Sequence, residues 1–170
     1  MARPDGIDER HIQPAEGWQR HASPLSLVVF GVVIVLALTG MLGHEREWNA
    51  ESGGAALTVH MPELIRNGEF FEMRIALESD EPIGKLVVGI DQAIWEDMTV
   101  NTLIPAPTEE SSEGSEFRFT FAELPASTPF LLKIDLQVNP DILGGNEGSV
   151  TVYDGERVLV EAVVGIGVLP

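Results

Sequence analysis

The sequence predicts an all-β chain: a β-sandwich of about 7–8 antiparallel strands, preceded by one apolar α-helix. Three observations lead there. From Ala55 onward, short runs alternate apolar and polar side chains, the period-two pattern of strands buried on one face. Turn-forming pairs separate the runs: Asn67-Gly68, Glu81-Pro82, Asn139-Pro140, Gly144-Gly145 and Asp154-Gly155. Before them, Leu25 to Gly43 is a 19-residue stretch with no charged side chain, apolar on every face of a helix.

Taken in order, residues 1–24 are polar and carry Pro4, Pro14 and Pro24. They read as a disordered cytoplasmic tail. Residues 25–43 would form a transmembrane helix about 28 Å long, close to the hydrocarbon thickness of a bilayer. A cleaved signal is the alternative. Its apolar core would span about 7–15 residues, and the segment "MLGHEREWNAESGG" offers no suitable small-residue pair for cleavage. Trp18, Arg20 and Trp48 flank the stretch and are expected at the membrane interface. Arg10 and Arg20 precede the span and Arg46 follows it, a bias that puts the N-terminus in the cytoplasm. The remainder would then be periplasmic or otherwise extracytoplasmic. No ionisable residue lies inside the span, which makes transport or proton relay a poor fit. Residues 44–54, "HEREWNAESGG", read as a linker ending in a flexible Gly-Gly.

Residues 55–170 form the predicted domain. "GEFFEMRIALES" places Phe71, Met73, Ile75 and Leu77 on one face, with Glu72, Arg74, Ala76 and Glu78 on the other. "EFRFTFAEL" turns Phe117, Phe119 and Phe121 inward. "FLLKIDLQVNP" does the same with Phe130, Leu132, Ile134, Leu136 and Val138. Further strands are expected at 56–60, 84–90, 98–104, 148–153 and 157–164. Asp154-Gly155, between "SVTVY" and "ERVLVE", is the strongest hairpin signal. "DQAIWEDM" reads as one helical turn around Trp95, and Trp95 and the phenylalanines read as core. This count of short strands, without a long amphipathic helix after them, fits an Ig-like sandwich. No solenoid or propeller period is present.

"MPELIRNGEFFEMRI" at the start of this region and "GSVTVYDGERVLVEAVV" near its end resemble bacterial Ig-like modules, which often open with a Gly-Glu-aromatic strand. The plan of one span and one sandwich is similar to that of small proteobacterial single-span membrane proteins with an extracytoplasmic Ig-like domain. The resemblance covers residues 55–170, is one of architecture, and implies no catalytic residue.

Charge narrows the functions. The chain holds 27 Asp and Glu against 10 Lys and Arg. Residues 44–170 hold 23 acids and 7 bases, a net of −16. Such a surface repels phosphate backbones, which excludes nucleic acid as an expected partner. With no cysteine, disulfides, thiolate metal sites and cysteine nucleophiles are ruled out. The histidines His11, His21, His44 and His60 make no pair at helical zinc spacing. A Ser-His-Asp site would have to use His60, and no Gly-x-Ser-x-Gly elbow exists. The pairs Glu96-Asp97 and Glu109-Glu110 invite comparison with carboxylate hydrolases, but in so acidic a domain they read as solvated. "NPDILGGNEGS" carries Asp141, Asn146 and Glu147, oxygen ligands of a kind suited to Ca²⁺, at a spacing unlike the EF-hand.

"NTLIPAPTEESSEGSE" is the most distinctive loop. Ile104, Pro105, Ala106 and Pro107 should be stiff and extended, and Thr108, Glu109 and Glu110 begin an acidic tip. These seven residues are the expected partner contact, since binding concentrates on loops held by a rigid scaffold. The expected function is a non-enzymatic, membrane-anchored accessory or scaffold protein. It presents an acidic domain to another membrane or periplasmic protein, without a cofactor. A ligand- or Ca²⁺-binding module is the alternative, followed by a carboxylate hydrolase.

Overall fold

The computed structural model describes residues 17–39, 44–140 and 144–169, with helix side chains from Pro24 onward. Two compact units divide the chain at residue 43. The first contains one helix, α1 (Gly17–Leu38), with Pro24 inside it. The helix therefore begins within the segment expected to be a tail, while residues 1–16 lie outside the described residues. Its side chains from Leu25 to Leu38 are mostly exposed apolar groups. Among the described residues no helix is long and apolar enough to cross a membrane. Residues 40–43 of the predicted span lie outside those described.

The second unit is a two-sheet β structure. One sheet runs β1 (Glu45–Ser52), β2 (Ala55–Pro62), β4 (Phe70–Ser79), β9 (Phe130–Val138), β6 (Met98–Ile104) in spatial order. The other runs β3 (Leu64–Arg66), β11 (Arg157–Leu169), β10 (Gly144–Asp154), β5 (Leu86–Asp91), β8 (Glu116–Thr120), β7 (Glu109–Glu113). The sandwich thus has eleven described strands rather than seven or eight. It is antiparallel except where β3 lies parallel to β11.

The predicted alternation appears in β2, β4, β9 and β11, whereas β5 is buried at every residue from Leu86 to Ile90. Met73, Ile75, Leu132 and Ile134 from the first sheet meet Val88, Ile90, Val150 and Val152 from the second in one fully buried core. The three unpredicted strands lack that signature. β7 is exposed along its whole length, and β3 has only three residues. β1 occupies the expected linker 44–54. Its polar sequence pairs with β2 from Glu45↔Pro62 to Ser52↔Ala55. Gly53 and Gly54, expected to be flexible, both adopt positive φ, 57° and 82°. This is the requirement of a tight type I′ turn, which matches the twist of the strands it joins. Gly144-Gly145, by contrast, is not the expected turn; it opens β10. The Asp154-Gly155 hairpin is present, with Asp154 opposite Arg157.

Asp154 also ties that hairpin to the strand beside it. Its Oδ1 accepts from the backbone N–H groups of Lys85, at 3.1 Å, and Gly84, at 3.0 Å. These bonds favour the ionised carboxylate and lower its pKa, the Lys85 bond most, against an opposing burial penalty. The stabilisation is present above the unfolded value near 3.8 and is lost as pH falls through the folded one. Asp154→Asn is therefore expected to lower the thermal midpoint at pH 7 and to match the wild type more closely at pH 3. An equal deficit at both pH values would remove the electrostatic account.

Candidate functional site

The chain passes from β6 to β7 between the two sheets. β6 ends the first sheet and β7 ends the second, on the same side of the sandwich, with residues 105–108 crossing between them. The crossing is held at its far end, where Thr108 N–H donates to Thr120 O at 2.8 Å and Thr108 Oγ1 donates to the same oxygen at 3.0 Å. The two edges do not close on each other. Between them lies a cleft of about 570 Å³, a size typical of ligand pockets.

An aromatic floor comes from two elements, the turn after β5 and strand β8. Trp95 ends the 3₁₀ turn Gln92–Trp95 that follows β5. Its ring stacks on Phe117, centroids 5.7 Å apart at 25°, and tilts against Phe119 at the same separation. Met98, Val100 and Leu103 of β6 form one wall, and Glu110 with Ser112 of β7 forms the other. β6 has an irregular register between Val100 and Thr102. The extra residue lets both Val100 and Leu103 face the cleft despite their odd spacing.

Several contacts fix the tryptophan turn. The Asp91 carboxylate accepts from Ala93 N–H at 3.2 Å and caps it. Asn146 Nδ2 donates to Ile94 O at 3.2 Å and to Glu96 O at 2.7 Å. A β-carbon on Gly148 would lie 2.8 Å from Ile94 Cγ1 and 2.9 Å from Asp91 Cβ. Glycine there allows the turn to sit directly on β10. Trp95 is only 7% exposed, yet its Nε1–H has no hydrogen-bond partner among the described residues.

The outer face of the β7–β8 hairpin holds a charge cluster. Arg118 is bonded to Glu113, to Glu116 at 3.0 Å and to Glu156 at 3.3 Å, and lies 4.8 Å over the Tyr153 ring. Tyr153 Oη donates to the Glu116 carboxylate at 2.9 Å. Burial first, then that bond, raises the tyrosine pKa. The Arg118 pKa is raised chiefly by its bond to Glu116. This cluster ties β8 to β10 across the intervening β5.

The predicted contact residues divide. Ile104 is 56% exposed at the end of β6, and Pro105 to Thr108 form the crossing. Glu109 and Glu110 lie in β7 rather than in a loop. As strand neighbours they face opposite sides, so they cannot act together as a carboxylate pair. Trp48, expected beside the headgroups, packs instead against the sandwich core with Arg46 over its ring at 5.3 Å. Its place in the edge strand β1 gives it a core to cover. Trp18 and Arg20 lie in α1, and their side chains fall outside the described residues.

Of the three expected cation ligands, two are described. Asp141 lies outside the described residues. Asn146 and Glu147 are consecutive in β10, and Asn146 spends its amide on the tryptophan turn. His60 in β2 faces Glu47 of β1 at 3.4 Å. A second hollow, of about 420 Å³, carries Glu51, Glu78 and Asp80 beside the β1–β2 turn. Among the described residues no group of three His, Cys, Asp or Glu side chains is placed to hold a metal ion.

Fold and cleft together define a two-sheet β structure with one side open. No protein-family model matches the chain, and no curated protein matches it significantly. Among solved structures it is similar to CaCohA2 from Clostridium acetobutylicum, at a TM-score of 0.47 and 13% identity. That likeness covers 69% of this chain and 92% of the other.

Proposed function

We propose that this is a non-enzymatic interaction protein whose partner docks at the open side of the sandwich, between β6 and β7. One observation carries this reading. The cleft is apolar and aromatic at its floor, and among the described residues Glu110 is the only ionisable side chain along its lining. That chemistry suits binding by burial, where a few aromatic anchors supply most of the affinity. It offers no second carboxylate for acid–base exchange. Of the expected contact residues, Glu110 lines this cleft, while Ile104 and residues 105–108 connect the two strands that flank it.

The test is a photo-crosslinking side chain introduced at Ile104, with another at Val163 as a control. Val163 is 61% exposed on β11, four strands from β7. A discrete adduct is expected from position 104 alone. It should vanish when Val100→Trp fills the cleft. Equal adducts from both positions, or an adduct indifferent to Val100→Trp, would sink the reading.

The same proposal includes a tether. The 19-residue uncharged run from Leu25 to Gly43 supports a membrane anchor, with the acidic unit outside the cytoplasm. Tethering would raise the effective concentration of the domain near partners in the same membrane. Alkaline extraction should leave the chain in the membrane fraction. A mature N-terminus after Gly43 would remove the anchor and leave the cleft untouched.

A further inference from the structure

We infer that the occupant of this cleft is an extended, cationic peptide segment that adds to β7 as a new strand. The inference rests on the interaction reading and names its partner's chemistry.

Backbone geometry comes first. β7 pairs with β8 only, and Glu113↔Glu116 closes a two-residue turn at Gly114-Ser115. Antiparallel pairs alternate between bonded and non-bonded, so the N–H and C=O groups of Ser112 and Glu110 turn away from β8. They form a regular free edge along the mouth of the cleft. The facing edge, β6, is interrupted by its irregularity at Asn101, which blunts an edge against pairing. Of the two edges, β7 is the one a strand can join.

Side chains come next. On an added strand, every second side chain would point into the sandwich side. A cleft of about 570 Å³ with Trp95, Phe117 and Phe119 at its floor accepts a bulky apolar one. The buried, unpartnered Trp95 N–H is a donor waiting for an acceptor, and leaving it unmet is costly.

Charge then selects the partner. Arg46, Arg74, Arg118, Lys133 and Arg157 are each already in an ion pair within the sandwich. Glu109 and Glu110 have no cation among the described residues and stand on the free edge. A second copy of the domain, at a net of −16 over residues 44–170, is repelled from that edge. A segment carrying Lys or Arg is attracted to it, and salt weakens the attraction.

The test uses the full chain in zwitterionic detergent micelles and a synthetic probe, acetyl-Lys-Val-Lys-Phe-Lys-Val-Lys-amide, titrated by calorimetry against a micelle blank. Binding is expected, and it should weaken at least about tenfold between low and high salt. Glu109→Gln with Glu110→Gln should weaken it by a similar factor. Ser112→Pro removes an outward N–H without breaking the β7–β8 ladder, and should abolish binding while the circular dichroism melt is retained. Equal binding of the probe with Glu in place of Lys, or full binding to Ser112→Pro, would overturn the inference. So would absence of binding. If the Ile104 adduct then still depended on an open cleft, only the cationic strand would fall. If that adduct were also lost, the interaction reading would fall with it.

Discussion

Ile134→Ala is expected to destabilise the sandwich by about 2–5 kcal/mol, the usual cost of truncating a large buried aliphatic side chain. Ile134 is 0% exposed at the centre of β9. It stands opposite Met73 on β4 and Leu103 on β6, and it faces the second sheet. Neighbours on both sides are themselves held in sheets, so the site cannot readily collapse around the lost atoms. Leu131→Ala is the matched control. It removes a side chain of similar size from the same strand, on the opposite face, where Leu131 is 45% exposed. Its expected cost is below about 1 kcal/mol, in keeping with a half-solvated position. Urea unfolding of both variants gives the comparison. Similar losses from the two would mean that β9 is not buried on one face only.

That contrast marks where the fold was legible. β4 and β9 lie inside their sheet with a core on one face, so burial imprints an alternation on the sequence. β1, β3 and β7 carry no such imprint. As edge strands they have one neighbour, and their stability comes from partners distant in the chain. "EREWNAES" and "EESSE" satisfy the backbone by pairing while their side chains stay in water. Polar edge sequences also discourage unwanted pairing, and it is this feature that made them look like linker and loop.

The cleft was legible only in part. Ile104 to Glu110 stood out through their prolines and acids. Trp95, Phe117 and Phe119 were expected as core; Trp95 and Phe119 are buried, and Phe117 is partly buried against them. What local pattern could not show is that the two sheet edges around them stay apart. The one available sign was in "MTVNTLI". There the apolar spacing shifts from two residues, Met98 to Val100, to three, Val100 to Leu103. Such a break in period is the mark of an extra residue in a strand.

The second large effect is expected at Asn146, and it separates two roles for the same side chain. Its Nδ2 donates to the carbonyls of Ile94 and Glu96, which flank Trp95. Asn146→Ala leaves both carbonyls without this donor and should cost about 1–3 kcal/mol. Trp95 should loosen with it, seen as a red-shifted indole emission against a background from Trp18 and Trp48. Asn146→Asp should be worse. It removes the donor and sets a carboxylate against two carbonyl oxygens, where like partial charges meet in a half-buried site. A calcium ligand would behave in the opposite way. Aspartate is the better oxygen donor to a hard cation, so added Ca²⁺ would raise the melting midpoint of Asn146→Asp above that of Asn146→Ala. The hydrogen-bond geometry instead orders the three as wild type, Asn146→Ala, Asn146→Asp, with or without Ca²⁺. An order reversed by the cation would return Asn146 to the ligand role and take away its part in holding the floor of the cleft. If the order holds, the same two hydrogen bonds govern both stability and binding. Peptide affinity should then decline in step with the loss of the tryptophan turn.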